Sequence, residues 1–404
     1  MIGRVTRRSS ALVLAGLLLL SLNLRPAAVS VGPVLAEVRA GLGMSAVSAG
    51  LLTSLPVLAF ACFGALAPAA ARAVGVHRVT LLALLALVAG LFGRSFAGDQ
   101  VVFLGLSMVA LAGMAMANVL LPSLVKLHFP DHVGRVTGLY TTALSIGLTA
   151  ALVLTVPVSE AFDGWRSGLG AWALVALLAA VPWLTLVRHD RALESQPRSI
   201  TFGDVARTRL GLAMAGFFGL QSLQAYVVFG WFATLWRDHG YTATQAGGLV
   251  GLLAAVSIPL SLWAPSAVAR SADPRRILLA VMLCYPVGYL GLLLAPHALA
   301  IPCALLVGVG TVTFPIVLVL IGLRSRTPAG TAALSGFTQS MGYLVAVTGP
   351  FSVGVLHDAT DGWTAPLLVL IALMVPQVLV GLYAARPAYI EDQLGATRRD
   401  ALAR

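Results

Sequence analysis

Charge is what this sequence has least of. Only 10% of its 404 residues are Asp, Glu, Lys or Arg, while 59% are hydrophobic and the mean hydropathy is +0.93. A soluble domain carries roughly 25% charged and about 45–50% apolar residues. So thin a charged coat cannot wet a 41.8 kDa soluble protein, and the surplus apolar surface must face lipid. Cysteine is also sparse. Cys62, Cys284 and Cys303 each lie in or at the edge of an apolar run, which excludes a disulfide framework or a thiolate metal site and leaves small packing residues. The seven histidines fall nearly all between the runs. There is no HExxH pair, no phosphate-binding loop and no Gly-x-Ser-x-Gly elbow, so familiar hydrolytic and nucleotide chemistry is unsupported. The formal net charge of +11 comes without the basic stripe that tracks a phosphate backbone, which argues against nucleic acid.

What is present is a series of apolar runs. Roughly 20 such residues cross a bilayer as a helix. The runs predict an all-α membrane protein of twelve spans, at about 10–31, 46–70, 78–98, 100–125, 135–158, 168–187, 209–235, 243–268, 275–295, 298–322, 330–355 and 364–385. Lipid offers no hydrogen bonds to the backbone, so these are helices and not isolated strands. Arg4, Arg7 and Arg8 ahead of Ala11–Leu20 resemble a secretory leader, but no clean cleavage site follows and eleven more spans do. With both termini cytoplasmic, 21 of the 26 basic residues fall in cytoplasmic segments. Four (Arg39, Arg94, Arg166 and Arg237) fall in outer ones, and Arg25 lies inside the first span. That asymmetry predicts a multi-pass protein of the inner (plasma) membrane.

The longest connection, 188–208, falls halfway. It reads as a cytoplasmic linker between an N-terminal bundle (1–187) and a C-terminal bundle (209–404). The halves repeat. At a shift of 197 residues Gly43, Ala46, Ala49, Gly50 and Leu52 fall on Gly240, Ala243, Ala246, Gly247 and Leu249, and Pro68 falls on Pro265. At 198, Asp163-Gly164-Trp165 falls on Asp361-Gly362-Trp363. Two six-span halves of one orientation are related by an axis along the membrane normal, the major facilitator arrangement, with a site between halves near mid-membrane.

Three stretches narrow this further: Asn23-Leu24-Arg25-Pro26-Ala27 followed by Gly32-Pro33; Gly50-Leu51-Leu52-Thr53-Ser54-Leu55-Pro56-Val57; and Gly322-Leu323-Arg324-Ser325-Arg326-Thr327 with Leu334–Tyr343. Together they resemble the cyanate and 2-nitroimidazole transporter (CynX/NimT) family of the major facilitator superfamily over almost the whole chain. The resemblance implies transport of small polar solutes, often planar or anionic. The superfamily's loop 2–3 motif is degraded. Gly64, Arg72, Gly75, His77 and Arg78 fit its glycine and basic positions, but Pro68 stands where an acid is usual, so a gating ion pair built on that acid is not expected.

Arg25 is the most informative residue. A cation at mid-helix costs about 2.5–3.5 kcal/mol on lenient scales, and all fifteen acids fall in loops, tails or helix ends. Glu37 is 12 residues away, about 18 Å at the helical rise. Arg25 therefore either faces a water-filled cavity and meets a solute anion or acceptor atoms, an anion being offered two parallel hydrogen bonds by the guanidinium, or it snorkels outward or satisfies carbonyls freed near Pro26. Asn23 accompanies it. The repeat places Gln221 and Gln224 opposite, three apart on one helical face, as solute ligands or as interhelical glue. Asn118, and Gln339 with Tyr343 four residues on, extend the candidate polar set. Tyr140 and Thr141 sit nearer the cytoplasm, and Tyr226 and Trp231 are placed to stack on a planar solute or to pack.

The sequence thus predicts a secondary transporter for a small polar solute, anionic or planar, working by alternating access, with no cofactor and no metal. Its partners are the solute and the bilayer. One chain holds both halves of a site, so a monomer suffices. Three other readings make different demands. An exporter of amphipathic drugs needs a large apolar cavity indifferent to Arg25. An intramembrane enzyme needs catalytic side chains clustered at one depth. A receptor needs a soluble sensory domain, and the loops are too short for one.

Overall fold

A computed structural model describes residues 7–44, 46–162, 164–187 and 200–394. Much of the 188–208 linker, Asp163, and the tail arginines Arg4, Arg398, Arg399 and Arg404 lie outside the described residues. All regular structure among the described residues is helical. Contacts divide the chain into two compact units. The first comprises 1–130, 139–201 and 327–336; the second comprises 131–138, 202–326 and 337–404.

The first unit is built on α1 (Arg7–Val29), α2 (Leu35–Leu42), α3 (Ala46–Ala59), α4 (Ala65–Val74), α5 (Val76–Ser95), α6 (Gln100–His128), most of α7 (Val133–Ala161) and α8 (Trp165–Leu186). The short connection expected near 98–100 is present. The Asp99 carboxylate caps α6 by accepting from the Val101 and Val102 amides at 2.8 and 3.0 Å, supplying acceptors that a helix start otherwise lacks. Span 2 is not one smooth helix. A π turn at Phe60–Gly64 joins α3 to α4, just ahead of Pro68, whose missing N–H cannot reach the Gly64 carbonyl. His77, grouped with the loop histidines above, is buried at the start of α5, with its Nε2 2.7 Å from Nε2 of His128 at the end of α6.

The second unit holds α9 (Phe202–Ala206), α10 (Arg209–Asp238), α11 (Ala243–Arg270), α12 (Arg275–Leu294), α13 (Ala300–Thr311), α14 (Thr313–Leu323), most of α15 (Pro328–Ala346), α16 (Thr348–Thr360) and α17 (Thr364–Ala384). Among the described residues, eleven segments are long and apolar enough to cross a membrane. The expected span 330–355 is not among them, because it is too polar; it is also two helices broken at Val347. Pro350 withholds a hydrogen bond from Ala346, and the Thr348 hydroxyl turns back onto the Val345 carbonyl at 2.7 Å. Polar residues such as Thr338, Gln339 and Ser340, all fully buried, also lower the hydropathy of α15. Span 10 breaks the same way at Val312, three residues before Pro315.

One basic residue was misplaced by the count of loop charges. Arg94 is not in an outer connection but in the last turn of α5, 1% exposed. Its guanidinium donates to the Ala27 carbonyl at 3.1 Å and to Ser30 Oγ at 3.0 Å. The negative end of the α1 dipole thus receives a buried cation, which fixes the end of the helix that carries Arg25.

Candidate functional site

In the first unit, α1 carries Asn23 and Arg25 and packs directly on α6 and α8. Arg25 is half-buried. Asn23 is 1% exposed; its amide donates to the Leu19 carbonyl at 2.8 Å, and its Oδ1 has no partner among the described residues. Asn118 lies buried on α6, and Tyr140 and Thr141 lie buried on α7. The backbone of α1 is opened at this level. Pro26 removes the donor that would serve the Leu22 carbonyl, and Gly147 of α7 approaches that carbonyl so closely that a Cβ would stand 2.0 Å from the oxygen.

Of the loop-motif residues of this unit, Arg72, Gly75 and Arg78 lie at the α4–α5 turn, and Gly64 lies at the opposite end of α4. Gly64 closes the π turn. Gly75 ends α4 and starts α5 with φ 100°, a conformation that side chains other than glycine's rarely allow. Arg72 donates to the Ile200 carbonyl at 3.3 Å, and Arg78 is exposed.

In the second unit Gln221 and Gln224 share a face of α10, as their spacing requires, and both are 0% exposed. Gln224 is fully engaged inside the bundle. Its amide donates to the Leu370 carbonyl of α17 at 2.9 Å, and its Oε1 accepts from the Tyr289 hydroxyl of α12 at 2.9 Å. Three helices therefore meet on one side chain. Gln224→Leu is expected to cost about 1–3 kcal/mol, since it leaves the buried Tyr289 hydroxyl without an acceptor. The melting temperature in detergent should fall by several degrees. Gln339 and Tyr343 lie on α15, 0% and 1% exposed. Tyr343 meets Phe218 edge-on at 5.1 Å and Tyr226 at 6.3 Å. Trp231 Nε1 donates to the Pro350 carbonyl at 3.0 Å, a bond that holds the α15–α16 break against α10.

Residues 13–350 match the family model of the Major Facilitator Superfamily. The chain belongs to that superfamily. It is 36% identical to the 2-nitroimidazole transporter of Escherichia coli (strain K12) over 94% of its own length and 96% of that protein's. It is 28% identical to the cyanate transport protein CynX of the same organism, over 89% and 94%. These likenesses place it in the cyanate and 2-nitroimidazole transporter family expected from its motifs. Among solved structures, the proton:xylose symporter XylE superposes with a TM-score of 0.73 at 14% identity, covering 96% of this chain and 98% of that one; at that identity the likeness concerns fold alone.

In this transporter one family motif has a function that sequence reasoning missed. Gly322–Thr327 is a receptor for the segment after α17. The Arg324 guanidinium donates to the Ala384 and Ala385 carbonyls at 2.8 and 2.7 Å, capping α17, and burial pulls its pKa down from the usual arginine value. The Arg324 carbonyl accepts from the Ile390 amide at 2.9 Å. Glu391 Oε1 receives both the Ser325 hydroxyl (2.7 Å) and the Arg326 amide (3.0 Å). Arg326 also pairs with Asp392, and its guanidinium lies 4.4 Å over the ring of Tyr389. The Arg326–Asp392 pair is solvated and worth little; the Glu391 contacts hold the segment. Glu391→Ala is expected to cost about 1 kcal/mol and to speed tryptic cleavage at Arg386.

Proposed function

We propose that this chain is a secondary active transporter that carries a small polar solute, anionic or planar, across the inner membrane by alternating access, with both termini cytoplasmic and Arg25 as the solute's anchor. One observation carries the reading. Arg25 is a half-buried cation inside the first span, and no carboxylate lies near the middle of any span. Membrane interiors rarely tolerate a cation except at a functional site. The solutes in the names of the two Escherichia coli relatives, cyanate and 2-nitroimidazole, are small, polar and flat, and a guanidinium fork suits both an anion and a nitro group. Asn23 and Asn118 supply neutral polar atoms on the same and the adjoining helix. Gln224 is assigned to holding the second unit together.

The test is a thermal-shift panel on purified protein in detergent. The panel comprises cyanate, nitrite, short carboxylates, 2-nitroimidazole and neutral amphipathic drugs. The proposal expects stabilisation by members of the first four groups. Stabilisation by the amphipathic drugs alone would refute it and favour an exporter.

A further inference from the structure

Three side chains in the core of the second unit, Gln221 on α10, Tyr285 on α12 and Gln377 on α17, are each 0% exposed. Four of their polar atoms have no hydrogen-bond partner among the described residues: Gln221 Oε1, the Tyr285 hydroxyl, and both Oε1 and Nε2 of Gln377. Buried polar atoms in native proteins are nearly always satisfied by protein or by ordered water.

The three residues share one level. One turn to one side, Gln224 of α10 meets Tyr289 of α12 and Leu370 and Met374 of α17. One turn to the other side, Gly381 of α17 lies against Phe217 of α10 and Met282 of α12. Gln221 falls between 217 and 224, Tyr285 between 282 and 289, and Gln377 between 374 and 381. On all three helices the spacing is a helical three and four, which puts the bracketed residue on the same face as its neighbours. Three side chains with orphaned polar atoms thus lie at one level where α10, α12 and α17 meet, with the Tyr285 ring also against Gly310 of α13. They make no hydrogen bond to one another, and Gln221 Nε2 is already spent on Ser222 Oγ at 2.5 Å.

We infer that this junction is a closed binding site for water. One or two molecules bridge Gln221, Tyr285 and Gln377, because buried polar groups that find no protein partner are satisfied by ordered water, and a buried water makes two to four such bonds. The three helices are then joined directly at Gln224 and through water one turn away, a wet contact along which α10 can shift without stranding an amide. This role for Gln221 is independent of the solute reading and of Arg25.

X-ray hydroxyl-radical footprinting tests it, since radicals formed from bound water label the side chains that touch it. In the wild-type protein Tyr285 is expected to be oxidised several-fold faster than Tyr289 and Phe103, which are equally buried but have no orphaned polar atom. Gln377→Leu should cut Tyr285 labelling at least threefold. If Tyr285 is labelled no faster than Tyr289 and Phe103 in the wild-type protein, the site is dry and the inference fails. That comparison stands even if the variant does not fold.

Discussion

Replacing Arg25 with glutamine is expected to weaken solute binding by roughly 100-fold in a protein that still folds. Two charge-assisted hydrogen bonds at about 1.5 kcal/mol each give about 3 kcal/mol, and every 1.4 kcal/mol is tenfold in affinity. Folding should survive because glutamine is smaller, uncharged and able to hydrogen-bond at mid-membrane, and because Arg94 secures the end of α1. Arg25→Lys keeps the charge but loses the planar fork, so a smaller loss, roughly tenfold, is expected. Titrating the stabilising solutes against the three proteins checks both steps. A folded Arg25→Gln protein that binds as tightly as wild type would show that Arg25 serves only the carbonyls near Pro26.

The second large effect is expected at Gly147. Pro26 leaves the Leu22 carbonyl without its helical donor, and α7 closes over that point through a residue with no side chain. In Gly147→Ala the new methyl would lie 2.0 Å from the Leu22 oxygen and 2.9 Å from its carbon. Backbone cannot rotate away as a side chain can, so α1 and α7 must part. Overpacking of this kind costs about 1–3 kcal/mol, and the upper end is expected here. Because Leu22 lies one turn before Arg25, solute affinity should fall together with stability. Gly105→Ala on α6 is the control. Nothing lies within 4 Å of its added methyl, so that variant should be neutral or slightly more stable. Melting curves of the two variants side by side decide the matter; equal curves would mean that α1 and α7 do not touch at Leu22.

How much of this was legible beforehand follows from the physics of each feature. Spans are written in composition, because lipid demands long apolar helices, and most were placed within a few residues. The break at Val347 was not placed, although Gly349-Pro350 was visible, because a proline inside a span can kink, bulge or break it depending on what neighbours supply. Arg94 was misread because counting loop charges assumes that arginines near span ends are wet, and its true partners, Ala27 and Ser30, lie far away in sequence. The Gln221–Gln224 pair was recognised as polar and on one face. Which way that face turned depended on Tyr289, Leu370 and Met374, distant residues that spacing along α10 cannot reveal. The Arg324–Glu391 clamp was equally hidden. Its motif carried the family resemblance, but its partners sit beyond the last span.

The central claim is transport anchored by Arg25, and uptake into proteoliposomes measures it most directly. Purified wild-type and Arg25→Gln proteins would be reconstituted at equal density and offered radiolabelled cyanate, nitrite, short carboxylates and 2-nitroimidazole, with protein-free liposomes as background. The account predicts saturable uptake of at least one of these by the wild-type protein and uptake near background by the variant. Uptake by the variant at the wild-type rate, or accumulation of amphipathic drugs and of none of the small solutes, would contradict it.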